Sequence, residues 1–418
     1  MKNPFARLLA LLFTLALVAA ACGSDSAGSD AADAGDSGGE SDEGSDSDEG
    51  TDSDEGDEAS DGDSDEGSDA GDDGESAGSA DLSGVCPANV VFQLDWNPES
   101  EHGALYELVG KENYTLDSNN FVVSGDLVAG GENTGVTIEV RSGGPAVGFQ
   151  PPVAVAYADN DITMFYINSD AAYNNAEEFP SLSVVAPLDK NPQIIMWDPE
   201  TYDVDTIADL PDDTILRIFG GATYAEHLIS AGIVQESQID ESYDGTPAIF
   251  VSEGGAIAQQ GFASAEPYIY KNEVEEWGKD VRYQLIHDTG WEIYAAALAI
   301  RAAEKDDLSP CLEVLVPIIQ QAQVDYINDP DATNALIVEA VEANHPGWLY
   351  SEGVAEFSRQ AQLDNGLVGN GSNDTLGDFD FDRMEKVYEI LGGVFPDVGP
   401  LTPEDLMTNE FIDPSIGL

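Results

Sequence analysis

From residue 85 onward the apolar positions fall into short runs separated by Gly, Pro and Asp, and the period of each run predicts an element. Residues 90–94 (Val-Val-Phe-Gln-Leu) form a compact apolar run, bounded by Pro87 and by the polar loop 95–102, and predict a strand. Residues 103–109 predict the helix that follows. Runs at 136–140, 162–167 and 182–186 predict three more strands, and Pro145 suits the first turn of a helix after Arg141-Ser142-Gly143-Gly144. The pattern then restarts. Residues 193–197 and 214–219 predict strands, and 223–231 a helix stopped by Gly232. Phe250-Val251 precedes a Gly turn and a run, 256–262, that reads as helical. Residues 281–287 predict another strand. The apolar run 293–300 is long enough to carry the chain back to the first sheet. Helical spacing then prevails at 312–327, 332–343, 355–363 and 383–391.

Strands alternating with helices predict an α/β fold with a largely parallel sheet. The restart divides it into two lobes. Residues 85–188 and 291–418 form the first, and 189–290 form a second lobe inserted in it. Two such lobes are the architecture of extracytoplasmic solute-binding proteins. A ligand then lies where the lobes meet, at the carboxyl ends of the strands.

The first 84 residues follow a different pattern. Lys2 and Arg7 precede an apolar run of 14 residues, Leu8 to Ala21, short of the ~20 needed to span a bilayer. Ala19, Ala20 and Ala21 lead into Cys22 and Gly23. This resembles a lipoprotein signal in which Cys22 is lipidated and becomes the mature N-terminus, so 1–22 is expected to be removed. The alternative is an ordinary secreted chain with a Cys near the cut. Residues 23–84 are Ser, Asp, Glu, Gly and Ala, with Ser-Asp-Glu-Gly recurring at 41–44, 47–50, 53–56 and 64–67. With almost nothing to bury, the segment is expected to be a disordered acidic tether, roughly 45 Å end to end before charge repulsion extends it.

Charge narrows the function. The chain carries 82 Asp+Glu against 14 Lys+Arg, a net charge of −68. Nucleic-acid readers need a basic face, so most of that class is excluded, and the charge argues against adhesion to anionic lipid through basic residues. The tether holds 24 acids and no Lys or Arg, and the rest of the charge lies on the folded part, where it reads as a hydrated acidic surface suited to saline surroundings. Asp46 and Asp48, and Asp61, Asp63 and Asp65, lack the Gly turn and bidentate Glu of a calcium loop. Asp378, Asp380 and Asp382 with Glu389 mimic that spacing, but Arg383 stands where the Gly is needed, and these acids read as the opening of a helix.

After Cys22 only Cys86 and Cys311 remain. In an exported protein they suggest one disulfide, the alternative being two free buried thiols. Enzyme signatures are missing: there is no Gly-x-Ser-x-Gly, His-Glu-x-x-His, phosphate loop or paired-Cys spacing, and His102, His227, His287 and His345 are scattered. The expectation is a non-enzyme with no cofactor and no metal.

Two stretches carry a family resemblance. Leu94-Asp95-Trp96-Asn97-Pro98, with His102 and Tyr106, resembles the opening motif LDWxPxxxHxxxY of the ABC-transporter solute-binding proteins of the taurine/sulfonate and thiamine-pyrimidine superfamily. Gly261 to Tyr268, containing Glu266-Pro267-Tyr268, resembles its second-lobe G…EPY segment. The resemblance covers about 90–418. It implies a two-lobed type II periplasmic-binding-protein fold, lobe closure on a small solute, and delivery to a membrane permease with its ATPase by a lipid-anchored monomer. It also implies that Trp96 and Tyr106 turn aromatic faces into the cleft and that Glu266 faces it, with Tyr268 nearby. Asp95 and His102 are candidate hydrogen-bonding partners, alternatively a loop brace and a helix cap. Gly143 and Gly144 in one lobe, and Gly221 with Thr223 in the other, stand at strand-to-helix turns where amides can approach a ligand oxygen. Trp291 and Glu292 stand near the return crossing. Aromatic and acidic candidates favour a flat, partly cationic heterocycle such as a pyrimidine, thiamine precursor or flavin-like ring. Amide-rich turns with Arg141 suit a sulfonate, taurine or nitrate instead. The fungal pyrimidine synthases share the fold but use a Cys-rich motif that this sequence lacks.

Overall fold

The computed structural model describes residues 81–345 and 347–418. The leader with Cys22, and the acidic repeats to residue 80, lie outside the described residues. The first lobe opens with β1 (Asn89–Gln93), β2 (Thr115–Asp117), β3 (Val122–Ala129), β4 (Glu132–Arg141), β5 (Met164–Ile167) and β6 (Ser181–Val185). The chain then crosses into β7 (Gln193–Trp197), β8 (Leu216–Arg217), β9 (Ile239–Asp240), β10 (Ala258–Phe262) and β11 (Arg282–Leu285), and returns as β12 (Ala297–Arg301). Two sheets result, ordered β2-β3-β4-β1-β5-β12-β6 and β11-β7-β10-β8-β9. The second sheet therefore belongs to a lobe inserted between β6 and β12.

The sheets are mixed, which corrects the expectation of a largely parallel arrangement. β1 runs parallel to β4 and β5, and β8 runs parallel to β9 and β10. The hairpin β3–β4 is antiparallel, and so are β12 against β5 and β6, and β7 against β10 and β11. The reversal at β12 follows from the insertion: a chain that leaves the first lobe along β6 and re-enters along β12 must run back against it. Central β1 is buried from Val90 to Gln93, as a strand covered on both faces requires.

The run 256–262 is also not a helix. Residues 258–262 are β10, paired on both sides with β7 and β8, while Phe250 belongs to the short helix α5 introduced below. The misleading signal was Gln259 and Gln260, which supply polar positions inside the core. Gln259 donates to the Tyr270 hydroxyl at 2.6 Å, and Gln260 accepts from the Tyr224 hydroxyl at 2.6 Å. Each side chain thus makes a hydrogen bond while buried, although Gln259 Oε1 is left without one.

The helices are α1 (Gly103–Glu107), α2 (Pro152–Ala158), α3 (Ser169–Asn174), α4 (Tyr224–Ser230), α5 (Ala248–Ser252), α6 (Glu266–Asn272), α7 (Lys305–Asn328), α8 (Asp331–Asn344), α9 (Glu352–Asp364) and α10 (Phe381–Val394). Pro145 opens a 3-10 turn, Gly144–Val147. Asp380 caps α10 by accepting from the Arg383 N–H at 3.0 Å. Among the described residues no helix is long and apolar enough to cross a membrane. Cys86, just before β1, and Cys311, in the second turn of α7, are joined by a disulfide with their Cα atoms 4.6 Å apart.

Candidate functional site

The site forms where the loop after β1 meets the second lobe. That loop is fixed from below. The Leu94 N–H donates to Arg141 O at 2.9 Å and the Gly143 N–H to Trp96 O at 2.8 Å. The Gln93 amide donates to Leu94 O and Ser142 O, each at 3.0 Å. Gly143 has no room for a side chain, since a Cβ there would lie 2.3 Å from Leu94 O. Gly144 sits at φ +53°, and a Cβ would lie 2.6 Å from the Trp96 ring. These two glycines therefore serve close backbone approach and the seating of Trp96, and the Gly143 amide is already bonded.

The far end of the loop is anchored to the C-terminal helices. The Ser100 N–H donates to the Tyr350 hydroxyl at 2.7 Å, the Gln362 amide donates to Ser100 Oγ at 2.8 Å, and the Tyr326 hydroxyl also bonds Ser100 Oγ. The Tyr326 ring lies across Gly103, where a Cβ would come within 2.2 Å of it. Because hydrogen bonds to Ser100 and Asn334 hold that ring, it has little freedom to yield. Gly103→Ala is expected to lower stability by about 1–3 kcal/mol through overpacking, measured as a drop in urea midpoint with the slope unchanged.

This frame places four carboxylates together. Asp95, Glu99 and Glu101 come from the loop, and Glu266 comes from the N-terminus of α6 in the other lobe. Glu101 and Glu266 are buried, Asp95 and Glu99 half-buried. Glu101 accepts from the Ser264 hydroxyl across the lobe boundary, and Glu266 accepts from the Phe262 N–H at 2.6 Å. Burial raises the Glu99 carboxyl well above its usual range, and the charges of Glu101, Asp95 and Glu266 push it further. Burial likewise raises Glu101, against the opposing hydrogen bond from Ser264. Glu266 is pushed up to about 7 by burial, opposed by the Phe262 N–H and reinforced by Glu101.

Beside the acids stands an aromatic wall. The Trp96 ring meets Phe149, Phe219 and Trp348 at centroid distances of 6.0, 6.1 and 6.0 Å, and Phe219 meets Tyr243 at 4.8 Å. Trp96 and Phe149 belong to the first lobe and Phe219 and Tyr243 to the second, so the wall spans the boundary. Phe149 is 66% exposed at φ +61°, a backbone conformation that bulky residues rarely adopt and that tends to mark functional positions.

The other sequence candidates fall as follows. His102 stands at the N-cap of α1, but its side chain makes no capping bond. Its Nε2 lies 2.8 Å from Asp95 Oδ1, and its ring is 5.2 Å from that of Tyr166. Tyr106 is fully buried beneath the loop, with its hydroxyl raised by burial and by Glu99. Thr223 bonds Asp170 of α3, a second hydroxyl–carboxylate link between the lobes. The Gly221 N–H donates to Glu241 at 3.2 Å, so that amide already has a carboxylate partner. Tyr268 packs elsewhere, on Phe357 of α9 at 5.5 Å and over Gly353. Trp291 is buried against His227. Arg141, the possible anion partner, is held by Glu139 at 2.5 Å and Asp159 at 2.8 Å. Two carboxylates already neutralise it, which corrects that expectation.

Sequence reasoning missed Glu99, Glu101, Phe219, Tyr243 and Trp348. The available signal was the crowding of Asp95, Glu99 and Glu101 into one loop before a helix.

No family model and no curated protein matches this chain. Among solved structures it is similar to the periplasmic aliphatic sulphonate-binding protein SsuA from Escherichia coli, at 12% identity and a TM-score of 0.50, over 76% of this chain and 91% of that one. It is also similar to the alkanesulfonate-binding SsuA from Xanthomonas axonopodis pv. citri bound to MOPS, at 11% identity and a TM-score of 0.48, over 77% and 99% of the two chains. A third is the zinc-bound ligand-binding component of an ABC-type import system from Staphylococcus aureus, at 10% identity and a TM-score of 0.48, over 77% and 97%. At such identities the likeness is one of fold, and with the inserted second sheet it establishes that the chain has the two-lobed type II periplasmic-binding-protein fold.

Proposed function

We propose that this chain is an extracytoplasmic solute receptor, anchored by lipid at Cys22 and held off the membrane by its acidic tether, that delivers a small solute to the permease and ATPase of an ABC importer. It acts by hinge closure without catalysis: a solute that bridges both lobes stabilises their closed arrangement by its differential affinity for it. The observation that supports this reading best is the junction itself, where Trp96 and the loop acids of one lobe face Phe219 and Glu266 of the other. An aromatic wall beside hydrogen-bonding carboxylates suits a flat heterocycle of the pyrimidine, thiamine-precursor or flavin-like kind.

A second reading takes its support from the E. coli neighbour, whose name gives an aliphatic sulphonate as its ligand. Against it, Arg141 is already neutralised by two carboxylates. Calorimetric titration of the full chain with thiamine, riboflavin, 4-amino-5-hydroxymethyl-2-methylpyrimidine, taurine and nitrate separates the two. The heterocycle reading expects one of the first three to bind, and Trp96→Ala to weaken it about 10- to 100-fold. Binding by taurine or nitrate alone, indifferent to Trp96, contradicts it.

A further inference from the structure

Resting on the receptor reading, we infer that the solute is a cation and that Glu99, Glu101 and Glu266 are the residues that select its charge. Carboxylates are seldom buried unless paired or bound to a metal. Here three approach one another from two lobes, with Asp95 beside them. Among the described residues no Lys or Arg forms an ion pair with any of the four, and His102 alone pairs with Asp95. Elsewhere in the molecule the scarce bases are used on carboxylates, as Arg383 is on Asp189 and Lys279 on Asp198. At the lobe junction the carboxyl groups are left without a Lys or Arg.

The side chains around the acids give an independent indication. His102 Nδ1, Asn97 Oδ1 and the hydroxyls of Tyr106 and Tyr166 have no hydrogen-bond partner, and all four residues are at most 3% exposed. The two hydroxyls lie beside the cluster, that of Tyr106 in the field of Glu99 and that of Tyr166 in the field of Asp95 and Tyr106, and Asn97 stands in the same loop between Asp95 and Glu99. Asn97 Oδ1 is an acceptor, and each tyrosine hydroxyl can accept as well as donate. The junction therefore offers mostly acceptors, the complement of a donor-rich cation. The aromatic wall adds ring faces that attract positive charge. A sulfonate or nitrate would instead meet carboxylates of its own sign.

The test titrates the full chain with three probes: 1-methylnicotinamide, a flat cation; nicotinamide, the same ring without the charge; and methanesulfonate. The cation is expected to bind at least about tenfold more tightly than nicotinamide, with no binding by methanesulfonate. Glu99→Gln, and separately Glu266→Gln, should reduce that preference to about threefold or less; the readout is the ratio of the two affinities within one protein, which misfolding, by weakening both probes alike, would not change. Nicotinamide or methanesulfonate binding as tightly as the cation overturns the inference and leaves the receptor reading standing. So does a preference that survives in both variants, or a neutral or anionic solute of the wider panel binding when neither thiamine nor 1-methylnicotinamide does. Binding by no solute at all overturns both.

Discussion

Reducing the Cys86–Cys311 bridge, or replacing Cys311 with Ala, is expected to lower the unfolding free energy by about 2–5 kcal/mol. The bridge closes a loop over a sequence separation of 225 residues, which takes in β1, the crossing into the second lobe and the return. Cross-linking so long a loop restricts the unfolded chain strongly, and the native geometry offsets little of this because both cysteines lie where packing already brings them. Cys311 is 1% exposed and part of the core that joins α7 to α1 and β1. The loss should also be local. The segment before β1 is otherwise held by a few backbone bonds, such as Leu82 N–H to Thr134 O at 2.8 Å. Urea unfolding with and without reductant measures the effect. An unchanged midpoint would show that the bridge contributes nothing.

Relative to Glu266→Gln, the ligand-free protein is expected to lose stability as pH rises from about 4.5 to 7, a contribution opposite to that of ordinary acid denaturation. The sign follows from Glu266. Its carboxyl titrates near 4.5 in the unfolded chain and at about 7 in the folded one. Between those values the folded state holds the proton more tightly, so its advantage is complete below about 4.5 and gone above about 7. The cost at neutral pH is about 3 kcal/mol from this group. Glu99 and Glu101 shift in the same direction and add to the slope. Surface acids also repel as they ionise, so the measurement belongs in high salt and against Glu266→Gln. Burial also pulls His227, His287 and His345 below their usual range, which raises stability over the same interval in both proteins, so the sign is read from the difference: the variant gains on wild type as pH rises and is the more stable of the two at pH 7. A wild type that gains stability over this range, in parallel with the variant, would contradict the burial of Glu266.

What the sequence made legible, and what it did not, divides along contact distance. β1 and its loop could be read because the signal is local: a short apolar run after Pro87, then a dense polar motif. The helices α7 to α10 could be read because they are long and periodic. β3 escaped notice because its residues show no clean alternation, and β10 was misread because Gln259 and Gln260 are buried with partners. Neither feature is visible without the sheet. The site divides in the same way. Asp95, Trp96, His102 and Tyr106 were picked out by resemblance to a family motif, and the structure places the first two in the loop, His102 at its end and Tyr106 on α1. Glu99 and Glu101 looked like ordinary acids of a solvated loop, and only the approach of Ser264, Glu266 and Tyr350 from distant parts of the chain buries Glu101 and half-buries Glu99. Phe219 and Trp348 meet Trp96 from two other regions. Gly221 and Thr223 looked like ligand amide and hydroxyl, yet each is bonded to a carboxylate, one within its own lobe and one across the boundary.

The central claim is that this fold captures a small solute between its lobes. A thermal-shift screen of the full chain against pyrimidines, thiamine, riboflavin, sulfonates and nitrate tests it most directly, because any solute held by the folded state raises the midpoint whatever its chemistry. A solute bound only by the folded state at about 100 times its Kd adds about 2.7 kcal/mol, which raises the midpoint by several degrees and makes it concentration-dependent. Such a rise is expected for at least one flat heterocycle, and its loss in Trp96→Ala. A midpoint that no small solute moves at any concentration would contradict it.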